Sequence, residues 1–224
     1  MRYMGSKRRI APYILPIVLK EHVGQYVEPF VGGANVFDKV RGPRIGADLN
    51  PYLIAALEWI RDDPTTLPRT LSEVQYELIR EDKDHNPALT GYVGFALSYG
   101  GKWFGGYGRN NNSRDYGVEA YNNAQAQSIE LRGATFKHSH YRNLSIQAGS
   151  TVYCDPPYRR TTGWDFNHVA FWTWCRELAA RGCKVFISEY TAPEDFTCVW
   201  SRAITSSLTQ DSGAKEGIER LYTL

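Results

Sequence analysis

At 224 residues and 25.5 kDa the chain has room for one domain with an inserted lobe and a substantial core. No apolar run approaches membrane-spanning length, and no apolar stretch backs the charged N-terminus, so neither a membrane protein nor a secreted one is expected. A net charge of +2 is too small to mark a nucleic-acid binder by itself, which leaves that role to local basic patches.

The first element is a basic segment, Arg2-Tyr3-Met4-Gly5-Ser6-Lys7-Arg8-Arg9, with Ser6 placed to cap a helix starting near Arg8. On its own it reads equally as a solvated tail. A strand is expected at 25–29, followed by the turn Val31-Gly32-Gly33-Ala34 and a helix start. Glycines there let the backbone approach a ligand at the C-terminal edge of a strand, where open α/β sheets bind cofactors. A second strand at 44–48 ends in Asp48, placed to accept from two ribose hydroxyls; the alternative is a cap for the helix expected at 51–61. From about 64 to 130 the pattern turns helical and polar, broken by the glycine-rich stretch 100–108 and by Asn110-Asn111-Asn112. Strands follow at 134–138, 150–155, 184–188, 202–208 and 219–224. A helix at 167–181, started by Asn167 and stopped before Gly182, joins two of them by a parallel crossover. The fold class is α/β, a doubly wound Rossmann-like sheet with one inserted lobe. Its four cysteines, Cys154, Cys175, Cys183 and Cys198, lack C-x-x-C spacing and read as reduced, mostly buried thiols, not a zinc site; no metal is expected.

Asp155-Pro156-Pro157-Tyr158 closes the strand at 150–155. Proline donates no backbone hydrogen bond, so carbonyls here are left to accept from a ligand. The tetrapeptide presents a carboxylate, a carbonyl and an aromatic face together. That set suits a planar exocyclic amine gripped by both protons while its ring stacks on Tyr158. A plain strand end at a proline turn is the competing reading.

The inserted segment carries a second constellation. Lys102, Trp103, Phe104, Tyr107 and Arg109 interleave cations and aromatics among glycines 100, 101, 105, 106 and 108. Arg109 suits bidentate reading of guanine, and Asn110 or a neighbouring asparagine suits adenine. An aromatic would fill the gap left by an extruded base. Alternatively, Trp103 and Phe104 anchor the loop to the core. Lys102 and Arg109 are the stronger expectations for nucleic-acid contact, and Arg159 and Arg160, directly after the tetrapeptide, suit phosphates or else form a solvated pair.

In order, R-Y-x-G-S-K, E-P-F-x-G-G, A-D-L-N-P and D-P-P-Y resemble the Dam-like DNA adenine-N6 methyltransferases of the alpha-ordered class. The glycine–aromatic segment resembles phage or prophage members, and the tail Glu219-Arg220-Leu221-Tyr222-Thr223-Leu224 resembles the family's last strand. The resemblance implies S-adenosylmethionine as cofactor and double-stranded DNA as partner, with base flipping and a cytoplasmic or nucleoid location in a bacterial host. It also implies a catalytic part at 1–61 and 131–224 and a target-recognition lobe at 62–130; a monomer is the default. Asp155, Pro156, Pro157 and Tyr158 would be catalytic. Tyr3, Lys7, Phe30, Gly32, Gly33, Asp48 and Asp155 would meet the cofactor, with Lys7 close to the target as well. One departure stands out: relatives carry an acid where this chain has His140, whose neutral ring still accepts one hydrogen bond; an ordinary surface histidine is the other reading. Cytosine-N4 methylation uses the same geometry. An RNA or protein-amide methyltransferase, a non-catalytic DNA-binding descendant and a nicotinamide dehydrogenase fit the motifs less well. Neither the recognition sequence nor a partner nuclease, as in restriction-modification, can be read from the chain.

Overall fold

The structure is a computed structural model that describes residues 1–109, 115–159, 166–206 and 215–224. Among these residues, seven strands form one sheet: β1 (Tyr26–Glu28), β2 (Arg44–Asp48), β3 (Thr135–His138), β4 (Thr151–Cys154), β5 (Lys184–Glu189), β6 (Thr197–Ser206) and β7 (Lys215–Thr223). Their spatial order is β3-β2-β1-β4-β5-β7-β6; the first five run parallel, and β7 is antiparallel to both β5 and β6. From β1 the chain moves outward through β2 to β3, then returns to lay β4 on the other side of β1. The strand order therefore reverses between β1 and β4, paired at Tyr26↔Thr151 and Val27↔Val152. A crevice at the C-terminal edge of such a switch is where doubly wound sheets take their ligands. This is the α/β, Rossmann-like architecture expected.

Helices cover both faces, as the fully buried central strands require. Successive residues of β1 and β4 serve opposite cores: Tyr26 and Tyr153 pack with one cluster, Val27, Val152 and Cys154 with the other. The first cluster takes α1 (Ala11–Val18) and α2 (Pro51–Asp62). Asn50 caps α2 by accepting from the Leu53 N–H at 3.1 Å, with Pro51 just inside. Its Leu53, Ile54, Leu57 and Ile60 fall on the buried stripe that period 3.6 dictates. The second cluster takes α6 (His168–Ala180), capped by Asn167 and stopped before Gly182 at φ +80°.

Between α2 and β3 lie α3 (Glu73–Glu81), α4 (Pro87–Ala96) and α5 (Tyr116–Leu131). Helix α3 is polar, with Ser72 and Gln75 forming a reciprocal capping box and Tyr76 its buried residue. Helix α4 departs from the polar pattern read for this segment, since Thr90 through Ala96 are all buried. Gly91 is the contact point with α2: a Cβ there would lie 1.8 Å from the Tyr52 carbonyl oxygen. Ala120, Ala124 and Leu131 of α5 complete the same core.

Several boundaries differ from expectation. The turn after β1 leads to a short 3-10 turn at Phe37–Lys39 instead of an α-helix, because Gly42 and Pro43 already return the chain to β2. At the N-terminus Ser6 caps another 3-10 turn, Lys7–Arg9, and α1 starts only at Ala11. Strand β6 starts at Thr197, before its apolar alternation is visible, and β7 starts at Lys215. Hairpin pairing carries both beyond the stretch that side-chain pattern marks. Cys154, Cys175 and Cys183 are buried thiols, whereas Cys198 is exposed. Among the described residues no helix is long and apolar enough to cross a membrane.

Candidate active site at the C-terminal edge of the sheet

The turn after β1 forms one wall. Gly32 takes φ +49° and Ala34 φ +57°, a left-handed conformation that costs a non-glycine residue about 1 kcal/mol or more and is tolerated chiefly at working sites. Tyr3 lies against this turn: a Cβ on Gly32 would meet its ring at 2.9 Å, and one on Gly33 would meet its Cβ at 2.6 Å. The other side of the same residue abuts Gly101, whose carbonyl accepts from the Met4 N–H at 2.9 Å. Asp48 accepts through Oδ2 from the Gly32 N–H (3.2 Å) and through Oδ1 from the Asn50 N–H (3.0 Å). The helix cap falls to Asn50, so Asp48 is not the cap that the sequence left open. Each of its oxygens keeps a further lone pair. Burial pushes the Asp48 carboxyl above its ordinary range, against the pull of those backbone donors.

Next along the edge, the Ser139 N–H bonds the Asp48 carbonyl at 3.0 Å and brings His140 beside the turn. His140 Nδ1 accepts from the Arg142 N–H at 3.3 Å, capping the turn Tyr141–Asn143. Its other ring nitrogen, Nε2, is not used by that cap. Phe30 stands in an aromatic group with Tyr141 (5.3 Å between centroids) and Phe171 (5.7 Å).

Across the switch, β4 delivers Asp155. Its carboxylate lies 3.3 Å from Lys7 Nζ, which is also 3.7 Å from Glu219 of β7 and 4.3 Å from the centroid of the Tyr158 ring. The Tyr158 hydroxyl donates to Glu219 Oε2 at 2.7 Å, and its ring meets Tyr190 edge-on. Pro156 is buried and Pro157 half-buried. Burial, with Glu219 adding to it, pushes the Asp155 carboxyl up to about 6 despite the opposing pull of Lys7. Burial alone would lower the Lys7 ammonium, but Asp155 and Glu219 outweigh it and hold it above its ordinary value. Behind this group, buried Glu189 at the end of β5 accepts from the Arg159 and Tyr190 N–H groups. Glu219 and Glu189 were not read as site residues. The available signal was an acid within β7 and another ending an otherwise apolar strand.

A glycine turn with Asp48 and a cluster of Asp155, Lys7, Tyr158 and Glu219 thus stand on either side of one topological switch. Residues 3–86 match the D12 class N6 adenine-specific DNA methyltransferase family. That match holds Tyr3, Lys7, the glycine turn and Asp48, while Asp155 lies beyond it. The solved structure of a putative methyltransferase, yhhF, from Escherichia coli is similar over 97% of this chain and 82% of its own, at 11% identity and a TM-score of 0.38. No curated protein matches.

The residues expected to meet DNA, the substrate of the matched family, divide sharply. Lys102 is exposed. Arg109 is exposed but holds Glu73 through two nitrogens, one at 2.5 Å, a surface pair worth at most about 1 kcal/mol. Arg159 is exposed beside a cavity of ≈ 340 Å³ lined also by His168, Trp172 and Arg176. Asn110 and Arg160 lie outside the described residues. Trp103 stacks on Tyr52 and leans on Phe95, Phe104 N–H bonds the Gly94 carbonyl, and the Tyr107 hydroxyl bonds the Leu71 carbonyl. Trp103 and Phe104 pack against the core, the alternative the sequence left open, and Tyr107 does so with them. Nor is the N-terminal basic segment a free tail. Arg2 bonds the Ala96 carbonyl, pairs with Glu119 at 2.9 Å and covers Tyr116, and Lys7 is drawn inward, while Arg8 and Arg9 stay exposed.

Proposed function

We propose that this chain is a site-specific DNA methyltransferase that transfers a methyl group from S-adenosylmethionine to the N6 amine of an adenine flipped out of double-stranded DNA. The observation that carries the reading is the carboxylate of Asp155 and the ring of Tyr158 at the end of β4, facing the Gly32–Asp48 wall across the strand switch. The cofactor supplies an electrophilic methyl on a sulfonium.

The residues suit that cofactor. Asp48, at the end of β2 beside the Gly32 turn, can take a ribose diol, and Gly32 holds that turn at φ +49° with the Tyr3 ring packed against it. Tyr3, Lys7, Phe30, Gly33 and His140 would meet the cofactor along the same edge, His140 through its ring nitrogen Nε2. For the target, the amine lone pair is delocalised into the purine, so the nitrogen is a poor nucleophile until that overlap is reduced. Asp155 and the Pro156 carbonyl would each accept one amine proton, turning the lone pair out of the ring plane while Tyr158 stacks on the base. This is positioning and electrostatics, not prior deprotonation, since a carboxylate near pKa 6 is far too weak a base for a neutral aryl amine. The amine proton leaves after transfer, and Asp155 is well matched to receive it. Lys102, Arg8 and Arg9 present exposed charge for backbone phosphates, Arg159 the phosphates nearest the flipped nucleotide, and Arg109 can read a base once released from Glu73. Asn110 and Arg160 belong to the same proposed surface, and 62–130 to the target-recognition part.

The test is to incubate the protein with S-adenosylmethionine and unmethylated plasmid, digest to nucleosides and weigh them. N6-methyladenine formed by the wild type and absent with Asp155→Ala, which should still bind the cofactor, is the expected result. N4-methylcytosine would change the base, and substantial activity in Asp155→Ala would remove that residue from the mechanism.

A further inference from the structure

Glu219 has no part in the mechanism above, yet it touches both groups that frame the reacting carboxylate. It comes from β7, the strand inserted antiparallel between β5 and β6, and is 5% exposed. One oxygen, Oε2, accepts from the Tyr158 hydroxyl at 2.7 Å; the other, Oε1, is 3.7 Å from Lys7 Nζ. The Lys7 ammonium meanwhile makes two contacts that the methyl-transfer reading assigns to the target base, whose amine would bond Asp155 and whose ring would stack on Tyr158: it pairs with Asp155 and lies over the face of Tyr158. Base and ammonium therefore compete for one place. We infer that Glu219 is a positioning residue that fixes the Tyr158 ring by its hydroxyl and gives the Lys7 ammonium a second partner, so that the incoming amine can displace Lys7 from Asp155.

The physical need is plain. A cation turned away from its carboxylate in a buried site, with no other anion at hand, would oppose entry of the base. Glu219 removes that opposition, because Lys7 moves from a shared pair to a full one without leaving the site. Tethering the ring matters in a second way. The bond at 2.7 Å fixes the far end of the Tyr158 side chain, and with it the place of the ring on which the base would stack. The inference rests on the proposed methyl transfer, and its test separates the two.

Full-length Glu219→Gln, Glu219→Ala and Tyr158→Phe are compared with wild type for kcat and KM on plasmid DNA, cofactor Kd by calorimetry, Tm, and titration of the Asp155 carboxyl by carbon-13 NMR. Glutamine still accepts from Tyr158 but cannot hold Lys7. KM for DNA should rise by on the order of tenfold, with kcat changed less and cofactor Kd unchanged. Alanine loses both contacts and should lower kcat as well. Tyr158→Phe keeps the partner for Lys7, so its KM should stay near wild type while kcat falls several-fold. A KM for DNA that does not move in either Glu219 variant, or losses that merely track Tm, would overturn the inference. In Glu219→Gln the Asp155 carboxyl should titrate below its wild-type value, since a like charge is gone and Lys7 is left to Asp155 alone. An unchanged titration overturns the positioning role even where no methylated base forms. Absence of methylated adenine with the wild type is instead a failure of the reaction itself.

Discussion

Asp155 answers to two demands that pull its pKa in opposite directions. In the proposed reaction it is ionised to accept from an amine, yet it sits where burial disfavours the charge, and the balance lies at about 6. As pH falls through that value the acceptor is lost, so kcat/KM should show an acid limb near pH 6, read from methyl incorporation across a buffer series. Lys7→Met removes the charge that opposes burial and should move this limb to higher pH. Stability carries the same signature with its own sign. Unfolded, Asp155 releases its proton near 3.8, while the folded protein holds it to about 6, so stability falls as pH rises from 4 to 6 and stays reduced above. Asp155→Asn should therefore raise Tm at pH 7–8 and leave it unchanged below about pH 4. A variant that melts lower than wild type at pH 7–8 would refute that account. Residues in contiguous motifs, such as Asp155, Tyr158 and Asp48, were legible in the sequence because type and neighbours alone suggest their chemistry. Glu219 was not, since its meaning comes from a strand pairing that no local pattern announces. His140 was half legible: its position was read, but the cap its Nδ1 makes with the Arg142 N–H was not.

At the level of elements, the helices read best were those with chemical start and stop signals. Pro51 marked the start of α2, although its cap is Asn50 and not Asp48, and Asn167 and Gly182 bounded α6. Helix α4 was obscured by its own glycines, which look like breakers in sequence but serve as contact faces in the fold. Gly91 lets α4 ride on the Tyr52 carbonyl, and Gly94 admits Trp103 and Phe104. Backbone cannot retreat as a flexible side chain can, so Gly91→Ala should cost about 3 kcal/mol, measured by urea unfolding. Wild-type stability in that variant would mean that α2 and α4 are not locked together there. Ser72→Ala, which removes the capping box of α3, should cost about 1 kcal/mol by the same assay. Strand β6 was mis-bounded because a long hairpin propagates by backbone pairing over residues whose side chains alternate poorly.

For the whole molecule, charge placement matters more than net charge. Arg2, Lys7 and Arg109 have partners inside the fold or on its surface, whereas Lys102, Arg8, Arg9 and Arg159 are exposed, and the proposed function sets these against backbone phosphates. Lys102→Ala should weaken duplex binding regardless of sequence and lower the salt slope of log K by about 1, followed by anisotropy between 50 and 200 mM salt. An unaltered slope would remove Lys102 from the interface. Topology was legible from alternating strands and helices, while the depth to which 62–130 enters the common core was not. The antiparallel placement of β7 carries a further consequence, for synthesis. Residue 7 meets residue 219 at the reacting carboxylate, so a ribosome must release nearly all of the described sequence before the two can meet. The glycine turn, Asp48 and even Asp155 can be in place earlier, but the complete charge cluster cannot. A nascent chain shortened before β7 would thus be expected to gain a nucleotide-binding edge before it gains a working centre.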